Sequence, residues 1–100
     1  MWIRDVHFVD EGIDTGDIIL QEIFPITDDD NYKTLLDRAY SGCANILHKA
    51  LVQISKNNYS RIIQETIHPI GFYCGARTEG DEIINWKDSS RNIFNFIRAV

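Results

Sequence analysis

Asp10-Glu11-Gly12-Ile13-Asp14-Thr15-Gly16 is an acidic stretch punctuated by two glycines. Val6-His7-Phe8-Val9 precedes it, and Ile18-Ile19-Leu20-Gln21-Glu22-Ile23 follows. Alternating or continuous apolar runs of this length read as strands, so the stretch is a loop at the rim of a sheet. Asp14 stands between a β-branched residue and a threonine, just ahead of a turn glycine. A carboxylate held there can accept or relay a proton. It can also do something plainer and bond its own backbone as an Asx-turn. The residues alone leave both readings open. His7 lies in the strand that enters the loop, as a half-buried strand histidine or as a group acting behind the site. Thr15 is expected to order the loop through its hydroxyl, and Gly12 and Gly16 to serve its backbone geometry.

The elements that must position this loop follow from patterning. Trp2 to Val9 is the first strand, with Val6 and Phe8 on one face and His7 and Val9 on the other. Asp17 to Phe24 is the second, nearly continuous in apolar residues and so expected to be covered on both faces. The loop is too long for a two-residue hairpin turn and suits an antiparallel pair. Pro25 ends the second strand by removing a ladder donor. Thr27-Asp28-Asp29-Asp30-Asn31 supplies capping side chains; it lacks the glycine and distal glutamate of a calcium loop. Tyr32, Leu35, Leu36, Ala39, Tyr40, Cys43, Leu47, Ala50, Leu51 and Ile54 then recur every three or four positions, predicting an amphipathic helix of about six turns. It should end near Lys56-Asn57-Asn58. Residues 61–67 read as a short strand, and Phe72-Tyr73-Cys74 as another between glycines. Asp88-Ser89-Ser90 opens a last helix with Ile93, Phe94, Ile97 and Val100 as its stripe.

Composition bounds the function class. One hundred residues, 44% hydrophobic and 25% charged, make one small domain or a piece of a larger one. The net charge of −5 disfavours a polyanionic partner, since nucleic-acid binding neutralises phosphates with clustered Lys and Arg. Cys43 and Cys74 form no zinc motif or disulfide framework and are expected as reduced thiols packed like small apolar residues. Trp86 is expected to anchor a core, and Arg77 to lie on the surface or brace a loop. No metal site is expected, no apolar run is long enough for a membrane span, and the N-terminal residues show no basic region followed by an apolar stretch and a small-residue cleavage site. A cytoplasmic protein is the expectation. The chain starts almost directly in a strand and stops within an apolar helix, so both ends are expected to be cut.

Val6 to Ile19, with its Asp-Glu-Gly-Ile-Asp-Thr-Gly centre, closely resembles the signature of the folate-dependent formyltransferases. That superfamily includes methionyl-tRNA formyltransferase, glycinamide ribonucleotide formyltransferase and the enzymes acting on nucleotide-linked amino sugars. A second block, Arg77-Thr78-Glu79-Gly80-Asp81-Glu82-Ile83-Ile84-Asn85-Trp86 with Ser89-Ser90 and Ile97-Arg98-Ala99, is similar to the end of the same catalytic domain. The resemblance implies an α/β fold, the second half of a Rossmann-type domain spanning residues 1–100: an antiparallel strand pair, a long amphipathic helix, a short strand region and a C-terminal helix. It implies that Asp14 is catalytic. It implies that Glu11, Gly12, Ile13, Asp14, Thr15 and Gly16 wrap the pteridine of 10-formyltetrahydrofolate, with His7 behind them near the substrate end. In the family the aspartate works with an Asn-x-His pair from an earlier segment, which has no counterpart here; His68-Pro69-Ile70 does not match it. The chemistry implied is attack of an amine on the formyl carbon, an oxyanion stabilised by fixed donors, and proton relay by the carboxylate. By itself the chain is therefore expected to be inactive.

The tail separates the candidate substrates. Asn85-Trp86 and Ile97-Arg98-Ala99 argue against the glycinamide ribonucleotide branch. Gly75-Ala76-Arg77-Thr78 followed by Glu79 resembles the sugar-directed enzymes more than the methionyl-tRNA branch, and the acidic balance points the same way. The expected acceptor is an amino-sugar nucleotide, with tRNA second. The expectation from another class is a noncatalytic fragment that associates with a partner, its own copy in a homo-oligomer being one candidate, through a bare sheet edge and the long helix.

Overall fold

A computed structural model describes residues 1–100. Strand β1 spans Trp2–His7 and β2 spans Ile18–Phe24; they pair antiparallel, Trp2 opposite Phe24 and Val6 opposite Leu20. The register slips between Val6 and His7, which faces Ile18, so Ile19 is the extra residue of a bulge beside the loop. A bulge turns neighbouring side chains out of strict alternation. That accounts for the burial of both Ile18 and Ile19. Farther along β2 the expectation of two covered faces fails: Ile23 is 58% exposed.

Helix α1, Tyr32–Ser55, begins with a capping box: the Asn31 side chain accepts from the Thr34 amide, and the Thr34 hydroxyl accepts from the Asn31 amide. Asp30, buried beside the cap, is bonded by the Thr27 amide, the Thr34 hydroxyl and the Arg38 guanidinium. The helix lies across the strand pair, and Ile46 and Ala50 join Ile18 and Ile19 as the core. Ile46 was absent from the stripe expected of this helix. Tyr32, Tyr40, Leu47 and Leu51, which were in it, are exposed. The apolar surface of α1 is wider than the two strands beneath it, so only one side of the stripe is covered.

Helix α2, Ser90–Ala99, is capped by Ser89. Arg91 pairs in two-pronged fashion with Asp28, and Arg98 donates to the carbonyls of Thr27 and Asp30, fastening α2 to the β2–α1 link. Four expectations are corrected, most of them in the segment between α1 and α2. Residues 61–67 are not a strand: Ile62 makes one isolated bridge to Ile18, and Gln64–Thr66 then turns into a 3-10 helix. Phe72-Tyr73-Cys74 has no strand partner and Tyr73 is fully exposed. A strand needs a ladder, and the two-stranded sheet offers none to this segment. Trp86 is 76% exposed rather than a core anchor, and Cys43 and Cys74 are free but exposed rather than packed. No helix is long and apolar enough to cross a membrane.

Candidate active site loop

The loop between β1 and β2 is closed at its base by the Phe8 amide donating to Asp17 O at 2.9 Å. Gly16 is buried there, and a Cβ on it would fall 1.7 Å from Phe8 O. No other residue type fits so close to a backbone carbonyl. Inside the loop, the Asp10 carboxylate accepts from the Gly12 amide at 3.0 Å and from the Thr15 hydroxyl at 2.6 Å. Gly12 leaves room for that second bond, since a Cβ there would lie 2.1 Å from Thr15 Oγ1. The Thr15 hydroxyl, followed by the Gly12 amide, holds the Asp10 carboxyl below its ordinary pKa. The Asx-turn weighed for Asp14 thus belongs to Asp10.

Asp14 has a different environment. Its φ of 53° is left-handed, a conformation aspartate tolerates better than most residues. Its carboxylate takes no part in the loop's hydrogen bonds; the side chain is 86% exposed, with Oδ1 3.7 Å from His7 Nε2. That separation exceeds a hydrogen bond but is within ion-pair reach when the imidazole is charged. His7 Nδ1 lies 2.8 Å from Phe8 O. A carbonyl only accepts, so Nδ1 carries a hydrogen and Nε2 is the nitrogen turned toward Asp14.

His7 and Asp14 open onto a shallow pocket of about 190 Å³ lined also by Phe8, Val9, Asp10, Gly12, Ile13 and Thr15. Val9 and Ile13 are its apolar walls, each 92% exposed. Glu11 and Gly16 do not line it: Glu11 is exposed outside and Gly16 is buried below. A larger groove of about 420 Å³ lies elsewhere, among Trp2, Ile26, Leu35, Leu36, Ala39 and Arg98. Its ionic groups, Asp30 and Arg98, are committed to internal bonds, so it presents apolar surface without free chemistry.

Three residues around the loop carry no signal in the sequence. Arg61 pairs with Asp17 at 3.0 Å and lies 4.2 Å above the Phe8 ring, which Tyr59 meets edge-on. Gln64 Nε2 donates to Asp14 O at 2.9 Å and Gly16 O at 2.7 Å. They sit 44–53 positions downstream of the residues they touch, and nothing in the sequence pattern marks them as neighbours of the loop.

The formyl transferase family model matches residues 4–54, which hold most of β1, the loop, β2 and most of α1. The methionyl-tRNA formyltransferase of Pelotomaculum thermopropionicum is 37% identical over 93 residues, covering 93% of this chain and 29% of the relative. That of Fusobacterium nucleatum is 38% identical over 95 residues, covering 95% and 30%. The bifunctional polymyxin resistance protein ArnA of Wigglesworthia glossinidia brevipalpis is 32% identical over 95 residues, covering 95% and 14%. The chain thus spans less than a third of the length of these curated relatives. The matched residues are those that build the pocket and the helix behind it, and by them this chain belongs to the formyl transferase family.

Proposed function

We propose that this chain contributes the aspartate-bearing loop of a formyl-transfer site, in which Asp14 handles the proton lost by an attacking amine. The observation that carries the reading is the Asp14 carboxylate, unspent on the loop's own hydrogen bonds and turned to His7 Nε2 at the mouth of a pocket. A carboxylate that were merely structural would resemble Asp10, whose oxygen is used by Thr15 and Gly12. The formyl donor is 10-formyltetrahydrofolate, which when bound supplies an activated one-carbon unit. The pocket suits one edge of its flat, polar ring system: Val9 and Ile13 offer apolar faces, and the Gly12 to Thr15 backbone offers polar groups. Its size accounts for only that part of a folate, because a ligand of that class occupies roughly 300–1,000 Å³. His7, its Nδ1 hydrogen held by Phe8 O, keeps Nε2 toward the carboxylate.

The acceptor is the amine of methionyl-tRNA in the reading that the relatives' names support. This reverses the order expected from the tail and the net charge. A charge of −5 over 100 residues describes less than a third of those relatives' length and does not set the field of a whole protein. The amino-sugar reading keeps one specific support, the Arg77-Thr78-Glu79 stretch that resembles the sugar-directed enzymes.

Incubating the intact protein with 10-formyltetrahydrofolate and either methionyl-tRNA or nucleotide-linked amino sugars decides the acceptor. Formylation of a sugar but not of methionyl-tRNA overturns the first reading. Asp14→Asn is expected to lower turnover by roughly 10²–10⁴-fold, the range of a general acid–base group, with the fold retained. Near-normal turnover refutes the role of Asp14.

A further inference from the structure

We propose that Gln64 is a positioning residue for formyl transfer: its side-chain amide clamps the carbonyls of Asp14 and Gly16 and thereby sets where the Asp14 carboxylate points. This rests on the reading of Asp14 as the proton-handling group.

The geometry is unambiguous about which end of the amide does this. Two carbonyl oxygens lie 2.9 and 2.7 Å from one terminal atom of the side chain, and carbonyls only accept. That atom must be the NH2, and both of its hydrogens are used. The two carbonyls bracket Thr15, whose hydroxyl holds Asp10. One amide therefore ties the outgoing limb of the loop on both sides of the residue that organises its interior.

Asp14 depends on this tether because little else fixes it. No backbone–backbone hydrogen bond outside the strands involves Asp14, and its exposed carboxylate is bonded to nothing within the loop. Its placement is inherited from a left-handed backbone at φ 53°, which a non-glycine residue keeps only when its surroundings enforce it.

Gln64 is itself well anchored. Two residues before it, Ile62 exchanges both backbone hydrogen bonds with Ile18, at 2.8 and 2.9 Å. Arg61 grips Asp17 and covers Phe8. Gln64 then opens the 3-10 turn Gln64–Thr66, which fixes its backbone direction. The segment 59–64 is a strap across the base of the loop, and Gln64 is the point at which it reaches the catalytic limb.

The test uses the intact protein with three variants. Gln64→Met keeps the length of the side chain and removes both donors. Gln64→Glu keeps the shape and sets a carboxylate against two carbonyls until it is protonated, when it donates one bond. Gln64→Met is expected to lower kcat on the order of 10²-fold, as misplacement of a catalytic group does, with KM for the amine unchanged. The ratio of kcat for Gln64→Glu to that for Gln64→Met is expected to rise as pH falls. A ratio flat with pH, or an unchanged kcat in Gln64→Met, overturns the proposal. Hydrogen exchange separates this from the role of Asp14. Gln64→Met should speed exchange across residues 10–17 while the amides of α1 stay protected. Acceleration spread over the whole chain would mean a general structural role and overturn the clamp, as would no acceleration at all. Asp14→Asn is assayed in parallel: if it retains turnover, the reading of Asp14 fails while the exchange result still judges the clamp.

Discussion

Asp10 and Asp14 lie in one loop and meet different fates, and the difference is decided by who donates to them. Asp10 accepts from Thr15 and Gly12 and is held ionised below its ordinary range. Asp14, left-handed and exposed, keeps its oxygens for something outside the loop. A depressed folded-state pKa contributes order that is fully present above the ordinary aspartate value of 3.8 and is lost as pH falls through the lowered one. The loop should therefore hold its shape at neutral pH and loosen only in acid. Thr15→Val removes the largest cause of the shift while keeping the side chain's shape. The Asp10 pKa is then expected to rise toward 3.8, with the Gly12 amide retaining part of the depression. Titration of the Asp10 carboxyl carbon by NMR reads this directly, and an unmoved pKa would show that the hydroxyl is not what holds the carboxylate.

At the scale of elements, the joint between β1 and α1 is a half-buried cation meeting a glycine. The Arg4 guanidinium donates to Glu22 at 3.0 and 2.6 Å and to the carbonyls of Arg38 and Ala39 at 3.0 and 3.2 Å, with the Trp2 and Phe24 rings about it. Gly42 makes the space: a Cβ there would lie 1.8 Å from Arg4 Nη1. Gly→Ala in a helix ordinarily stabilises by roughly 0.5–1 kcal/mol. Here Gly42→Ala is expected to reverse that sign and destabilise by about 1–3 kcal/mol, because it displaces a charged donor from four partly buried hydrogen bonds. Urea denaturation measures it, and a stabilised variant would show that the arginine swings away without loss. The sequence made the strand pair, the long helix, the Ser89 cap and the acidic loop legible, because periodicity and capping are local. It did not disclose that Gly42 faces Arg4 or that Gln64 reaches the loop, since both depend on contacts far apart in the chain. The expected strands at 61–67 and 72–74 failed for a related reason: apolar alternation states a preference, and only a neighbouring ladder can realise it.

The whole molecule is long and thinly cored. Its extents are 54 × 27 × 22 Å and its radius of gyration is 17.1 Å, where a compact chain of 100 residues has about 13 Å. Six residues are buried, while Tyr40, Leu47 and Leu51 on α1 and Ile70, Phe72, Tyr73, Ile83 and Trp86 after it are largely in solvent. The heat-capacity change of unfolding grows with the apolar surface newly exposed, and here much of that surface is exposed already. A compact domain of this length shows about 1.2–1.5 kcal/mol/K. The 100-residue polypeptide on its own should fall well below that figure and melt over a broad range, since so small a core supports little cooperativity. Scanning calorimetry at several concentrations makes the measurement. A sharp, concentration-independent transition with the full heat-capacity change would mean that the outer face of α1 and the segment 70–86 fold onto each other in solution, contrary to the arrangement described. A change that grows with concentration would instead mean that those faces are covered by a second copy.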